Sequence, residues 1–150
     1  MLSFEYLKTN VDAANEAHAQ NIFVPCVFCC FQKDKLLRDR SASGGFCAAV
    51  AKYVLQKENS VVYGATYDDN FKVVKYAKVK NIDDFYKQLA KSKYFMPTLP
   101  NLDTVKDELD AGVDVLFIGC PCHVNALIRF LNTTYDNLTT ISLVCHGVCS

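Results

Sequence analysis

The sequence has no excess of either charge: 16 basic and 16 acidic side chains cancel to a formal net charge of zero. Its Lys and Arg are interspersed with Asp and Glu, so no basic field would hold it on a phosphate backbone, and nucleic acid is not an expected partner. A long hydrophobic run is also missing. The longest mostly apolar stretch covers residues 22–31 and contains Pro25, well short of the roughly twenty residues of a spanning helix. The opening residues, MLSFEYLKTN, carry an acid and lack both a basic start and a following apolar segment. No export signal is expected from them, and the chain is read as cytoplasmic. There is no internal repeat and no low-complexity segment. With 51% apolar and 12% aromatic residues, the composition lies outside the disordered class, and 150 residues suit a single core.

What the sequence does have is cysteine, 8 in 150 residues. In a chain that is not exported, thiols sit in a reducing compartment, where a Cys cluster more often means metal or redox chemistry than disulfides.

Residues 1–20 are polar, Ala-rich and weakly helical at best, and PCVFCCF follows them. From Phe46, the positions Phe46, Ala49, Val50, Tyr53 and Val54 follow the pattern of a one-sided helix, with Ser43 available as its N-cap. Two β-rich runs, SVVYGATY (60–67) and KVVKYAKV (72–79), are separated by DDNF, which predicts a hairpin. Asn81 can cap a short helix carrying Phe85, Tyr86 and Leu89, and a loop holding Pro97 and Pro100 comes next. A further helix is predicted from Leu102 through Val105 and Leu109, stopping at Gly112. The last third reads as strand VDVLFIG (113–119), a helix with Val124, Leu127, Ile128 and Leu131 on one face, and strand TTISLVC (139–145). That is a βαβ unit. The predicted class is α/β, a mixed sheet with a C-terminal βαβ unit and flanking helices.

Both strands of a βαβ unit point the same way, so the residues that follow each strand share one edge of the sheet. Here they are Gly119-Cys120-Pro121-Cys122-His123 and Cys145-His146-Gly147-Val148-Cys149-Ser150. The carboxyl edge of a parallel sheet is where open α/β folds bind ligands. Four thiolates suit an iron–sulfur cluster or zinc, while any one buried Cys can be a small hydrophobe. Cys26, Cys29 and Cys30 stay open between packing and ligation, and Cys47 on a helix reads as packing. SASGG (41–45) opens a helix, where free backbone N–H groups and the helix dipole favour phosphate. If the 60–67 strand runs parallel to the 113–119 strand, that phosphate site neighbours the thiols. His18 reads as solvated. His123 and His146 adjoin cysteines as ligands, proton donors or structural residues. Ser92-Lys93-Tyr94 is either a solvated loop or an anion clamp.

RSASGGFCAAVAKYVL, VVYGATYD, KSKY, VLFIGCPCHVNAL and ISLVCHGVCS occur in an order that resembles the coenzyme F420 hydrogenase/dehydrogenase beta-subunit family over residues 40–150. The resemblance implies a flavin and iron–sulfur oxidoreductase, or its electron-transfer subunit, that moves electrons between a [4Fe-4S] cluster, FAD and an unidentified acceptor. It implies FAD-binding roles for Ser43, Gly44, Gly45, Ser92, Tyr94, Gly119 and Gly147. It also implies metal ligation by Cys122 and Cys145, joined by Cys120 and Cys149, and a catalytic His146. Cys120 stands where such proteins commonly have Thr, His123 where Gln is usual and Cys149 where Pro is usual. These departures add thiols at the shared edge and alter the ligand set.

The expected organisation is a lead-in with a Cys cluster (1–40) followed by an FAD/iron–sulfur N-terminal-type domain (41–150), a fragment of a longer chain. Its expected partners are a redox protein or small electron acceptor and a partner subunit. The competing reading is a non-catalytic zinc-binding or interaction module in a polysaccharide-related context.

Overall fold

In a computed structural model of the chain, residues 29–147 are described. The chain divides into a unit Met1–Phe31 and a unit Gln32–Ser150. Cys29 and Cys30 belong to the first unit and have no regular secondary structure; Cys26 and His18 lie outside the described residues. Everything below concerns the second unit.

Residues 32–40 pack into that unit. Asp34 caps helix α1 (Lys35–Asp39) by accepting from the backbone N–H groups of Leu36 and Leu37 at 2.9 and 3.2 Å. Helix α2 (Phe46–Val54) follows a tight turn at Ser43–Gly45. Strands β1 (Ser60–Tyr67) and β2 (Val74–Val79) form the predicted antiparallel hairpin. The Asn81 side chain accepts from the Asp84 N–H and starts α3 (Ile82–Asp84), which runs on as a wider π-turn through Phe85–Leu89. Helix α4 (Leu102–Asp110), strand β3 (Asp114–Gly119), helix α5 (Pro121–Leu131) and strand β4 (Leu138–Ser142) complete the unit.

The strands form one mixed sheet in the order β2-β1-β3-β4, with β3 parallel to both β1 and β4. This is the α/β architecture expected from the sequence. Successive residues of a strand face opposite sides, and both faces here are covered. Val62, Leu116 and Ile118 pack with Ala48, Ala51 and Phe85, while Val61, Val115 and Phe117 pack with Val105, Leu109, Val124 and Leu127. Fully burying one such aliphatic or aromatic side chain stabilises the fold by about 1.5–3 kcal/mol.

Three local expectations need correction. Helix α2 buries Ala48, Ala51 and Val54, whereas Phe46 and Tyr53, placed by periodicity on its inner stripe, are exposed. Both faces repeat at helical spacing, and the face of small residues is the one that allows close approach to a sheet. Ile128, assigned to the buried stripe of α5, is 50% exposed. Strand β4 stops at Ser142 instead of reaching Cys145. Its partner β3 ends at Gly119 because Pro121 opens α5, and the Leu143 N–H, donating to the Gly119 carbonyl at 2.8 Å, makes the last cross-strand bond.

Candidate active site

At the carboxyl edge of β1, β3 and β4 lies a cavity of about 620 Å³, within the usual range for small-molecule and cofactor sites. Its walls come from segments far apart in sequence: the Ser41–Ser43 turn, the start of α2, the Ser92–Tyr94 loop, Gly119–Cys120 and Cys145–Gly147. The parallel pairing of β1 with β3 meets the condition under which the Ser-Gly-Gly turn and the thiol edge adjoin.

The Ser-Gly-Gly turn is unusual backbone. Ser43, Gly44 and Gly45 have φ of 47°, 71° and 83°, a left-handed run that residues with a Cβ rarely sustain. A Cβ on Gly45 would come within 2.9 Å of the Gln32 Cβ. Ser43 is not the N-cap of α2 as predicted. Gly45 takes that place, with no side chain to cap the helix, and its N–H closes the turn on the Ala42 carbonyl at 2.9 Å. Ser43, Phe46 and Cys47 line the cavity, so the amino end of α2 borders it. Burial pushes the Cys47 thiol above its ordinary value.

Two contacts tie the Ser92–Tyr94 loop and its neighbours to that turn. The Ala42 N–H donates to the Ala90 carbonyl at 2.8 Å, and Lys91 Nζ donates to the Asp39 carbonyl at 2.7 Å. Lys93 lines the cavity and donates to the Gln88 carbonyl at 2.6 Å, and its burial brings the ammonium down to about 8. Tyr94 stands exposed at the cavity wall.

Gly119 serves the site through the side chain it lacks. A Cβ there would strike the Tyr76 hydroxyl. The Tyr76 ring stacks on Phe117 with centroids 5.0 Å apart, and its hydroxyl shares a 3.2 Å hydrogen bond with His123 Nδ1. Burial raises the Tyr76 phenol, with a smaller contribution from Cys120 and Cys122, and burial lowers the imidazolium of His123. Both groups are therefore held neutral. His123 is 7% exposed, a hydrogen-bonded residue beneath the cavity.

Cys120 is the N-cap of α5 and Pro121 its first residue, the position where a missing N–H costs nothing. Burial raises the Cys120 thiol first, and its hydrogen bond to Cys145 raises it further, with smaller effects from the nearby Cys145 and Cys122 charges. Cys145 is exposed, and its sulfur accepts from the Gly147 N–H at 3.4 Å. Cys120, Cys145, His146 and Gly147 border the cavity together with Ser43, Ser92, Tyr94 and Gly119. Cys122 is exposed and does not line it, and Gly44 and Gly45 lie behind the wall within the turn. Cys149 lies outside the described residues. Among the described residues, no three His, Cys, Asp or Glu side chains are placed to hold a metal ion.

Sequence reasoning missed Tyr76; Cys47 packs against the core as expected and also lines the cavity. Period-two alternation puts Tyr76 on the same face of β2 as buried Val74, and that was the available signal.

No protein-family model matches the chain, and no curated protein does. Among the described residues no helix is long and apolar enough to cross a membrane. Among solved structures, a chain of the F420-reducing [NiFe] hydrogenase complex from Methanosarcina barkeri, studied by xenon derivatization, is similar in fold. The TM-score is 0.59 at 20% identity, covering 77% of this chain and 42% of that one. The chain thus spans less than half the length of the structure it resembles, and the likeness is one of fold.

Proposed function

We propose that the cavity binds FAD and that the chain is the flavin-holding part of an oxidoreductase or of its electron-transfer subunit. One observation carries this reading: a single cavity of about 620 Å³ is bordered by the Ser-Gly-Gly turn, the Ser-Lys-Tyr loop, Gly119 and Cys145–Gly147. The chemistry of its walls suits such a ligand. Phe46, Leu89, Ile118 and Ile141 offer apolar surface for a flat ring system, and Ser43, Ser92 and Lys93 supply a few polar groups. The amino end of α2 and Lys93 would meet the pyrophosphate, since helix starts and cations both favour anions. When bound, the flavin supplies hydride and single-electron chemistry. The protein's own residues orient it, exclude water and hold Tyr76 and His123 neutral beneath the site.

Among the described residues no three thiols are grouped to hold a four-thiolate cluster, and Cys149 lies outside them. No step is routed through one. The fold likeness to a chain of a hydrogenase complex supports a redox role beside a partner subunit, with a redox protein or small molecule as acceptor.

The test is titration of the purified chain with FAD. Quenching of flavin fluorescence at one FAD per chain, with a rise in Tm, is the expected result. A colourless protein that neither quenches nor is stabilised by FAD and carries stoichiometric zinc would replace this reading with the zinc module.

A further inference from the structure

The two faces of the sheet bring different chemistry to the cavity. Helix α2 packs through Ala48 and Ala51 on the face of Val62 and Ile118, whereas Tyr76 packs on the opposite face, with Phe117. Tyr76 and the start of α2 both border the cavity, so it reaches from one face to the other across the carboxyl edge. Cations stand on the α2 side. There Lys91 and Lys93 donate to backbone carbonyls, and among the described residues no carboxylate borders the cavity. On the other face the side chain that enters is a phenol.

Three contacts fix that phenol. Its ring stacks on Phe117 with centroids 5.0 Å apart and planes 15° from parallel. Its hydroxyl shares a 3.2 Å hydrogen bond with His123 Nδ1, and it occupies the space that a Cβ on Gly119 would need. A hydroxyl has one donor and two acceptor positions. His123 takes one of the three, which leaves capacity for a group in the cavity. Tyr63 and Tyr135 differ in this respect: each donates its proton at 2.6 Å to a carboxylate, of Glu108 and Asp110, in bonds between elements of the fold.

We propose that the Tyr76 hydroxyl hydrogen-bonds the nitrogen- and oxygen-bearing edge of the flavin ring and so sets the direction in which FAD lies in the cavity, an assignment that rests on the flavin reading above. The pyrophosphate lies at the start of α2 and Lys93, where the positive charge is, and the ring crosses the sheet edge beside Gly119 to reach Tyr76. Chemical match decides the direction. A flavin ring has one edge of methyl groups and one of N–H, nitrogen and carbonyl groups. Only the second can pair with a hydroxyl, and burying it without a partner would cost more than the bond itself contributes. Because Phe117 and His123 already hold the phenol in place, little side-chain freedom is lost when the ligand arrives.

The test uses the full chain and two ligands, FAD and ADP, the second sharing the adenine and pyrophosphate of FAD but lacking the ring. Tyr76→Phe keeps the ring stack and removes only the hydroxyl. Its affinity for FAD should fall about three- to tenfold, the worth of one hydrogen bond, and the visible absorption bands of the bound flavin should shift. Its affinity for ADP should equal that of the unaltered chain. Far-UV circular dichroism checks that the variant folds. A chain with 3-fluorotyrosine at position 76 alone retains the hydroxyl, and its fluorine resonance should move on addition of FAD and stay in place with ADP; this measurement decides should Tyr76→Phe not fold. Equal FAD affinity and identical bands in Tyr76→Phe would overturn the proposal and leave the flavin reading standing, as would a fluorine resonance that bound FAD does not move. Equal losses of FAD and ADP affinity would make Tyr76 a structural residue and overturn it as well. FAD that fails to bind the unaltered chain would overturn the flavin reading and this assignment together.

Discussion

The two ends of the sheet are built on opposite principles. At the amino edge every strand entrance is tied off. Lys57 pairs with Asp114 at 2.5 Å, the Asp114 N–H donates to the Asn59 carbonyl at 2.9 Å, and the Ser60 hydroxyl donates to the Lys57 carbonyl at 2.9 Å. Asn137 completes the closure, its side-chain amide donating to the Leu109 and Val113 carbonyls at 3.0 and 2.8 Å. At the carboxyl edge the same strands end in Gly119, thiols and an exposed Leu143–Val144 stretch, and a cavity remains. Hydrogen bonds consumed at one end maintain the fold. Groups left available at the other can meet a ligand, which is the usual division of labour in parallel α/β sheets.

Substitutions on either side can break that contrast. Gly119→Ala should have the largest effect, because the new Cβ meets the Tyr76 hydroxyl, which is held by Phe117 and His123. Overpacking of this kind costs about 1–3 kcal/mol, and FAD quenching should weaken along with stability. Full stability and unchanged FAD binding would show that the carboxyl edge is more yielding than described. Asn137→Ala should cost about 1–2 kcal/mol in urea unfolding by removing the amide donor of the partly buried Val113 carbonyl and one of the two donors to the Leu109 carbonyl. Its FAD titration should not change, and a loss of FAD affinity would blur the distinction between the two edges.

The smallest expected effect is that of Lys93→Gln, and it shows in the pH dependence. The ammonium titrates near 8 in the folded chain against an ordinary 10.5, because of burial. Between those values the unfolded chain binds more protons than the folded one, so this group makes stability rise with pH across that window. Its benefit is present above about 10.5 and lost as the pH falls through about 8. The variant should show a flatter Tm profile over that range. An identical slope would mean that Lys93 is hydrated like a surface lysine.

Much of the architecture was legible because it is local. The βαβ unit follows from one continuous apolar run, a helical stripe and a second β-rich run, and α4 was read correctly because its three large apolar residues, Leu102, Val105 and Leu109, share its inner face. The face of α2 was not legible: alanines carry little hydrophobic signal, yet Ala48 and Ala51 are what let the helix lie close to the sheet. The end of β4 depended on where its neighbour stopped. Tyr76 became part of the site through a ring stack and a missing Cβ at Gly119, neither of which leaves a periodic trace.

By itself, the sequence determined the elements and the fact that the segments following β3 and β4 share one edge, since strand direction in a βαβ unit is settled by chain connectivity. Only the tertiary structure decided that β1 lies beside β3, which brings the Ser-Gly-Gly turn and the Ser-Lys-Tyr loop to that same edge. It also decided which thiols border the cavity. Spacing placed Cys120 and Cys122 on equal terms, but in the folded unit Cys120 and Cys145 line the cavity and Cys122 does not. Side-chain direction at a helix start is a consequence of packing, and no count of residues encodes it.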